Sequence, residues 1–330
     1  MDLNLVFVIF IIFVALVFDF LNGMNDSANS VATIVATRVL SPRMAVIWAA
    51  FFNFVAFLIF GTAVAKTISS GIVDISGVTP LVIFAGLIGT ILWTGTCTAL
   101  GLPISCSHSL VGGYAGAAIA KSGFGVLILS GWYKIILFIV LSPLIGLFLG
   151  MVLKILTTWL VYKRPPQFID KWSKYLQLLS SALFSLGHGG NDAQKTMGII
   201  TGLLFSAGMI SSFDVPLWVV LSAHLAIALG TLIGGWKVIE TMGNKITKLR
   251  PIDGFCAETA SAAGIFIATS LGIPVSTTHA ITGAISGVGS VKRLSAVKWG
   301  VTLNIVWAWF LTIPASALIA GLIYYCLVLV

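Results

Sequence analysis

The chain has 330 residues, 58% of them hydrophobic and only 8% charged, against about 25% charged in an average soluble domain. Apolar runs of about 20 residues recur from end to end, which excludes a soluble domain and reads as an all-α polytopic membrane protein; a transmembrane barrel would instead show alternating strands of about ten residues. The net charge of +8 would suit a nucleic acid, but Lys and Arg sit in short loops, where they set membrane topology, so no nucleic-acid partner is expected.

Leu3 to Phe20 is the first apolar run. No A-x-A cleavage site follows it, so it reads as a membrane helix rather than a signal peptide. Asp19, Asn22, Asn25, Asp26 and Asn29 then crowd together before the small-residue stretch from Ser30 to Thr37. Further spans are expected over Ala45–Ala65 (with Asn53 inside), Leu81–Leu100 and Trp132–Trp159. Between the last two comes Gly101-Leu102-Pro103-Ile104-Ser105-Cys106-Ser107-His108 and a Gly/Ala-rich run to Ala120. Residues 160–174 are the most polar segment, carrying Lys163, Arg164, Lys171 and Lys174 around Pro165-Pro166, and read as a cytoplasmic linker. It divides a first membrane repeat, residues 1–159, from a second, residues 175–330.

The second half repeats the first. Gly23-Met24-Asn25-Asp26 returns as Gly189-Gly190-Asn191-Asp192, and GLPISCSHSLVGGYAG (Gly101–Gly116) returns as GIPVSTTHAITGAISG (Gly272–Gly287), in the same order and with similar spacing. Spans follow over Pro216–Gly235, containing His224, from Gly254, containing Glu258, and over Val301–Val330. With the N-terminus outside and five crossings per half, residues 38–43, 160–174, 241–253 and 292–298 face inward and hold most of the 18 basic residues, as the positive-inside rule asks. An odd number of crossings turns the second half upside down. The expected fold is therefore two inverted repeats of about five membrane segments each, with broken helices or re-entrant hairpins at the midplane. The four cysteines, Cys97, Cys106, Cys256 and Cys326, show no CxxC or disulfide spacing.

A carboxylate at the centre of a membrane helix costs roughly 2.5–3.5 kcal/mol, and this chain carries one at matching places in both halves. One reading is a kink whose Asp is satisfied by a neighbouring helix. The other is a cation site built from carboxylate and amide oxygens, with main-chain carbonyls freed where glycine unwinds the helix; such hard ligands suit Na⁺. An Asp there can instead carry a proton. Asn22 and Asn29 flank Asp26 on one helical face, whereas their counterparts are His188 and Lys195, so the two copies are not chemically equal. Glu258 has no acidic counterpart, since Leu87 aligns with it, and joins the cation candidates. The candidate cation ligands are thus Asn22, Asn25, Asp26, Asn29, Asn191, Asp192 and Glu258, with Na⁺ at Asp26 and at Asp192.

In the second motif proline suits the first turn of a helix, so Ser105, Cys106 and Ser107, and likewise Ser276, Thr277 and Thr278, open helices. Free N–H groups, the positive end of the dipole and hydroxyl donors make an oxyanion site, phosphate-like above all. Ordinary N-capping by Ser is the plainer alternative. Gln194 and Lys195 complete the anion candidates, although Lys195 equally suits an ion pair with Asp192 one helical turn away. His108 and His279 match across the repeat and suit either a structural hydrogen bond or a proton or substrate contact; His224 reads as structural. The trailing Gly112, Gly113, Gly116, Gly283 and Gly287 suit close helix packing. Trp307 and Trp309 carry no assigned role. No Zn spacing, Walker A lysine loop, HExxH or nucleophile elbow is present, so no enzyme and no cofactor is expected.

At these residues the chain resembles the inorganic phosphate transporter (PiT) family, over essentially its whole length. DFLNGMNDSANSVAT (Asp19–Thr33) and GHGGNDAQKTMGI (Gly187–Ile199) resemble the family's two signature repeats, and GLPISCSH, GIPVSTTH and GFCAETASAA (Gly254–Ala263) its other recurring segments. The resemblance implies a multi-pass symporter of the plasma membrane that imports inorganic phosphate with Na⁺ or H⁺. It sets cation and phosphate binding on Asn25, Asp26, Asn191 and Asp192, with the Ser/Thr motifs around the phosphate. The short chain, without a large central loop, is similar to bacterial or archaeal forms. Related permeases carry sulfate, so another oxyanion is an alternative, as is an anion channel. The lipid bilayer is the expected surrounding, and a second copy of the chain an allowed partner.

Overall fold

The computed structural model describes residues 3–74 and 77–329, and among these the regular structure is helical apart from an isolated antiparallel bridge between Val73 and Leu127. Helix α1 (Leu3–Ala36) and helix α7 (Pro166–Ser206) carry the two Asn-Asp motifs. Both run unbroken through them, which corrects the expected unwinding at glycine. Gly in a helix interior costs about 1 kcal/mol relative to Ala, but here the bare backbone lets helices touch. A Cβ on Gly23 would strike the Ile227 carbonyl of α8 (Leu217–Ile233), and one on Gly189 would strike the backbone of Asn53 in α2 (Pro42–Val55).

The breaks fall one element later in each half. Helix α2, extended by a 3₁₀ turn, gives way at 86° to α3 (Ala63–Ser70), and α8 gives way at 67° to α9 (Trp236–Glu240), which runs on into a π turn. A break strands the N–H groups of the new helix's first turn. The Asn-Asp helices supply their acceptors: Gln194 Oε1 takes Val64 N at 2.8 Å, and Ser27 Oγ takes Gly235 N at 3.0 Å.

Helices α4 (Pro80–Leu100) and α5 (Cys106–Ser122) form a hairpin, and α10 (Pro251–Ser270) and α11 (Thr277–Lys292) form its counterpart. Each closes at its open end: Lys121 Nζ donates to the Gly77 carbonyl at 3.3 Å, and Lys292 pairs with Asp253. Each turns at its tip on a left-handed glycine, Gly101 (φ 73) or Gly272 (φ 68). The two tips meet, Thr278 Oγ1 donating to the Ile104 carbonyl at 3.0 Å. Long helices clasp the hairpins from the opposite half: α6 (Leu129–Val161) lies along α11, and α12 (Trp299–Leu329) along α5. Gly112 and Gly116 press on the backbone of Ile313 and Ala317, and Gly283 and Gly287 on that of Pro143 and Leu147. These are packing glycines, as expected from sequence; in lipid, such close contact rather than apolar burial holds helices together.

The polar segment expected as a linker over residues 160–174 is helical from Pro166, where proline occupies the first helical position and α7 begins. Among the described residues four helices, α1, α4, α6 and α12, are long and apolar enough to cross a bilayer, or six with each bent pair taken as one span. The apolar core forms two clusters, one around α4–α5 with Phe18, Leu110 and Leu203, the other around α10–α11 with Phe184, Ile281 and Trp309. Helix α1 passes from the first cluster to the second and α7 from the second to the first. Their polar residues lie at the crossing between them.

Candidate ion-binding site

Asp26 of α1 and Asp192 of α7 are buried and face one another across a histidine. His188 Nε2 lies 3.4 Å from Asp192 Oδ2 and 3.9 Å from Asp26 Oδ2. One ligand atom from each of the three residues falls within 4.8 Å of the others, the spacing of a cation site. Asn53 fixes the ring. Its Nδ2 is taken by Thr231 at 2.9 Å, so its carbonyl oxygen faces His188 Nδ1 at 3.1 Å. Nδ1 therefore donates to Asn53, and Nε2 faces the two carboxylates.

The asparagines of the motifs are held symmetrically. Asn25 Nδ2 donates to Thr98 at 2.7 Å and Asn191 Nδ2 to Thr269 at 2.8 Å, near the ends of α4 and α10. Their amide carbonyls, with that of Asn22 and one oxygen of Asp19, are buried without a hydrogen-bond partner. An unpaired buried acceptor costs about 1–3 kcal/mol. Three such oxygens on one stretch of α1, with a fourth on α7, are what a hard cation can satisfy.

The hairpin tips carry the Ser/Thr motifs. Ser105 and Ser276 are N-caps, accepting from His108 N at 3.2 Å and His279 N at 3.3 Å. Capping is thus their use; the two prolines stand before the caps rather than in the first turn, which corrects that detail of the sequence reading. The next residues turn to the carboxylates. Thr278 Oγ1 lies 3.2 Å and Cys106 Sγ 3.7 Å from Asp26 Oδ1, while Thr277 Oγ1 lies 3.5 Å from Asp192 Oδ2. Asn29 Nδ2 donates to both threonine hydroxyls. Each carboxylate thus sits at a helix N-terminus, where dipole and donors favour negative charge. Lys195 Nζ reaches Asp192, Ser107 and the Val275 carbonyl together.

Two sequence candidates stand elsewhere. Gln194 has both polar ends taken, Oε1 by the start of α3 and Nε2 by the Gly190 carbonyl, and so holds the break rather than an anion. Glu258 on α10 accepts from Thr33, Gln177 and Ser180, each of its oxygens engaged by the protein. Thr33 lies two turns beyond Asp26, about 10 Å at 1.5 Å per residue, so Glu258 forms a separate polar knot. The matched histidines touch: the His108 and His279 rings are 4.7 Å apart, and His279 stacks on Trp309 at 3.8 Å. Trp309 also donates to the Pro103 carbonyl, locking the first tip. His224 donates to its own helix at Val220, a structural role.

Sequence reasoning named His188, Asn53 and Trp309 but placed none of them among the site candidates. The signal for His188 was its place in Gly187-His188-Gly189-Gly190-Asn191-Asp192, one turn before Asp192; Asn53 carried only its rarity inside an apolar span.

Residues 22–320 match the model of the phosphate transporter family. The chain is 56% identical to a "Probable low-affinity inorganic phosphate transporter" of Rhizobium meliloti (strain 1021), over 98% of both chains. It is 43% identical to a protein of the same description from Bacillus subtilis (strain 168), over 99% of both, and 30% identical to a "Putative phosphate permease" of Pyrococcus furiosus, over 93% of both. A solved structure titled "The sodium-dependent phosphate transporter" superposes with a TM-score of 0.90 at 27% identity, covering 98% of this chain and 100% of that one. The class is that of a helical membrane transporter, not an enzyme. Within that class, the chain belongs to the phosphate transporter family, and the family expected from the motifs is the family found.

Proposed function

We propose that this chain is a multi-pass plasma-membrane symporter that imports inorganic phosphate together with Na⁺ or H⁺ by alternating access. Its two halves act as inverted repeats, and each helical hairpin enters the membrane from its own side to meet the other at the ion site. The reading is carried by one observation: two buried carboxylates meet at the Thr277-Thr278 N-terminus of α11, where Asp26 also meets Cys106 of the opposed hairpin, with His188 between them.

That arrangement couples the two ions physically. While Asp26 and Asp192 are charged, they hold the Thr277 hydroxyl and repel another anion from the N-terminus of α11. A cation drawn between Asp26, His188 and Asp192 neutralises the carboxylates and frees that helix end for phosphate. The bound phosphate in turn favours the cation, because the coupling free energy is reciprocal. The halves then rock around the filled site.

The test is labelled phosphate uptake into proteoliposomes under an imposed inward Na⁺ gradient, an imposed pH gradient, or neither, with sulfate as competitor. Gradient-driven accumulation that saturates and resists sulfate is expected. Uptake that follows phosphate alone and never saturates would point to a channel, and strong inhibition by sulfate to another oxyanion.

A further inference from the structure

We infer that Lys195 is a tethered cation: its ammonium fills, at Asp192, the place of a second coupling ion. This rests on the symport reading above and sets the number of cations that the symport uses.

Lys195 is 1% exposed, and among the described residues its Nζ meets three oxygens of three kinds from three elements. They are the carboxylate Oδ1 of Asp192 on α7, the Ser107 hydroxyl on α5 and, at 3.0 Å, the main-chain carbonyl of Val275 in the second hairpin tip. Carboxylate, hydroxyl and freed carbonyl are the ligand set of a hard cation at a broken-helix site. An ammonium has three protons to give and here gives all three. Nothing about this set calls for an anion: no N–H and no second cation points at Nζ from these partners.

The internal repeat supplies the control. The position matching Lys195 is Asn29, which is neutral and donates to the Thr277 and Thr278 hydroxyls. Among the described residues the carboxylate in the matching half, Asp26, is met by Thr278, Cys106 and His188, and by no Lys or Arg. The same backbone plan thus gives one carboxylate a counter-charge of its own and leaves the other to an ion from solution. The division also fits the two oxygens of Asp192: Oδ1 goes to Lys195, while Oδ2 faces His188 and Asp26, where a mobile cation would sit. Asp19, buried beside Asn22 on α1, also has no ion pair among the described residues.

Two neutral variants test this, Lys195→Asn, which copies the first half, and Lys195→Gln, which keeps more of the side chain's reach. Binding of ²²Na⁺ alone to purified protein is counted per chain, beside the Na⁺ dependence of phosphate uptake in proteoliposomes. Each folded neutral variant is expected to bind one Na⁺ more than wild type, and the Hill slope for Na⁺ in uptake is expected to rise by one. Equal counts in wild type and in either folded variant overturn the inference. So does a wild-type chain whose Asp192→Asn variant loses a bound Na⁺ while its Asp26→Asn variant loses none. If wild type takes up no phosphate under any gradient, the symport reading fails, yet the ²²Na⁺ count still decides the role of Lys195.

Discussion

Asn53 touches neither carboxylate, yet it decides which way His188 faces. Its amide is oriented by Thr231, and its carbonyl oxygen takes the Nδ1 proton, which turns Nε2 toward Asp26 and Asp192. Such supporting residues typically carry a factor of about 10–100 in ion affinity. Asn53→Leu is therefore expected to weaken cation binding by about that factor with the carboxylates intact, read as the ²²Na⁺ concentration for half-saturation. An unchanged value would remove His188 from the site. Gln194 gives the opposite forecast. It holds the first turn of α3, and losing it strands a buried N–H at a cost of about 1–3 kcal/mol. Gln194→Ala should lower the thermal unfolding temperature of the purified protein and leave the phosphate KM unchanged; a raised KM at unchanged stability would restore it to the anion site. At this scale the sequence was legible where a motif was said twice. Asp26 and Asp192 come together with Cys106, Thr277 and Thr278, while Asn25 and Asn191 bond to matching threonines and Ser105 and Ser276 cap the helices. His188 was visible only as a difference between the copies, because the first has Asn22 in its place, and Gln194, read as an anion candidate beside Lys195, is engaged by the start of α3 and by Gly190.

Helices α1 and α7 show why the elements were less legible than the residues. A glycine beside Asn-Asp is compatible with an unwound helix and with a close helix crossing, and only the partner decides. Here the partner is present: α8 closes on Gly23 and α2 on Gly189. The breaks moved to 59–62 and to Gly234-Gly235, where the second half offers a glycine pair and the first half a lone Gly61. Side chains on the unbroken helices, Gln194 and Ser27, then satisfy the broken ones. Overfilling a tight contact of this kind costs about 1–3 kcal/mol. Gly23→Val is accordingly expected to lower the melting temperature and to disturb transport by parting α1 from α8. A variant as stable as wild type would mean that the helices are not in contact there.

For the whole molecule, the two apolar clusters and the exchange of α1 and α7 between them follow from the duplicated order of elements, which the sequence displayed openly. What it left open was the path of the hairpins, because Gly101–Ser105 and Gly272–Ser276 read equally as crossings or as tips. The inverted arrangement proposed above makes a topological forecast. Lys121 and Lys292 end matching helices, so cysteines placed there should react with a membrane-impermeant thiol reagent from opposite sides of the membrane. Of the native cysteines, Cys97, Cys106 and Cys256 are buried, and Cys326 is replaced first. Labelling of both from one side would rule out inversion. Above this stands the claim that the paired carboxylates couple cation to phosphate. The most direct measurement is gradient-driven phosphate uptake by Asp26→Asn and Asp192→Asn proteins in proteoliposomes. Neutralised carboxylates no longer need the cation, so coupled accumulation should be lost in each; accumulation at the wild-type level in both would contradict the account.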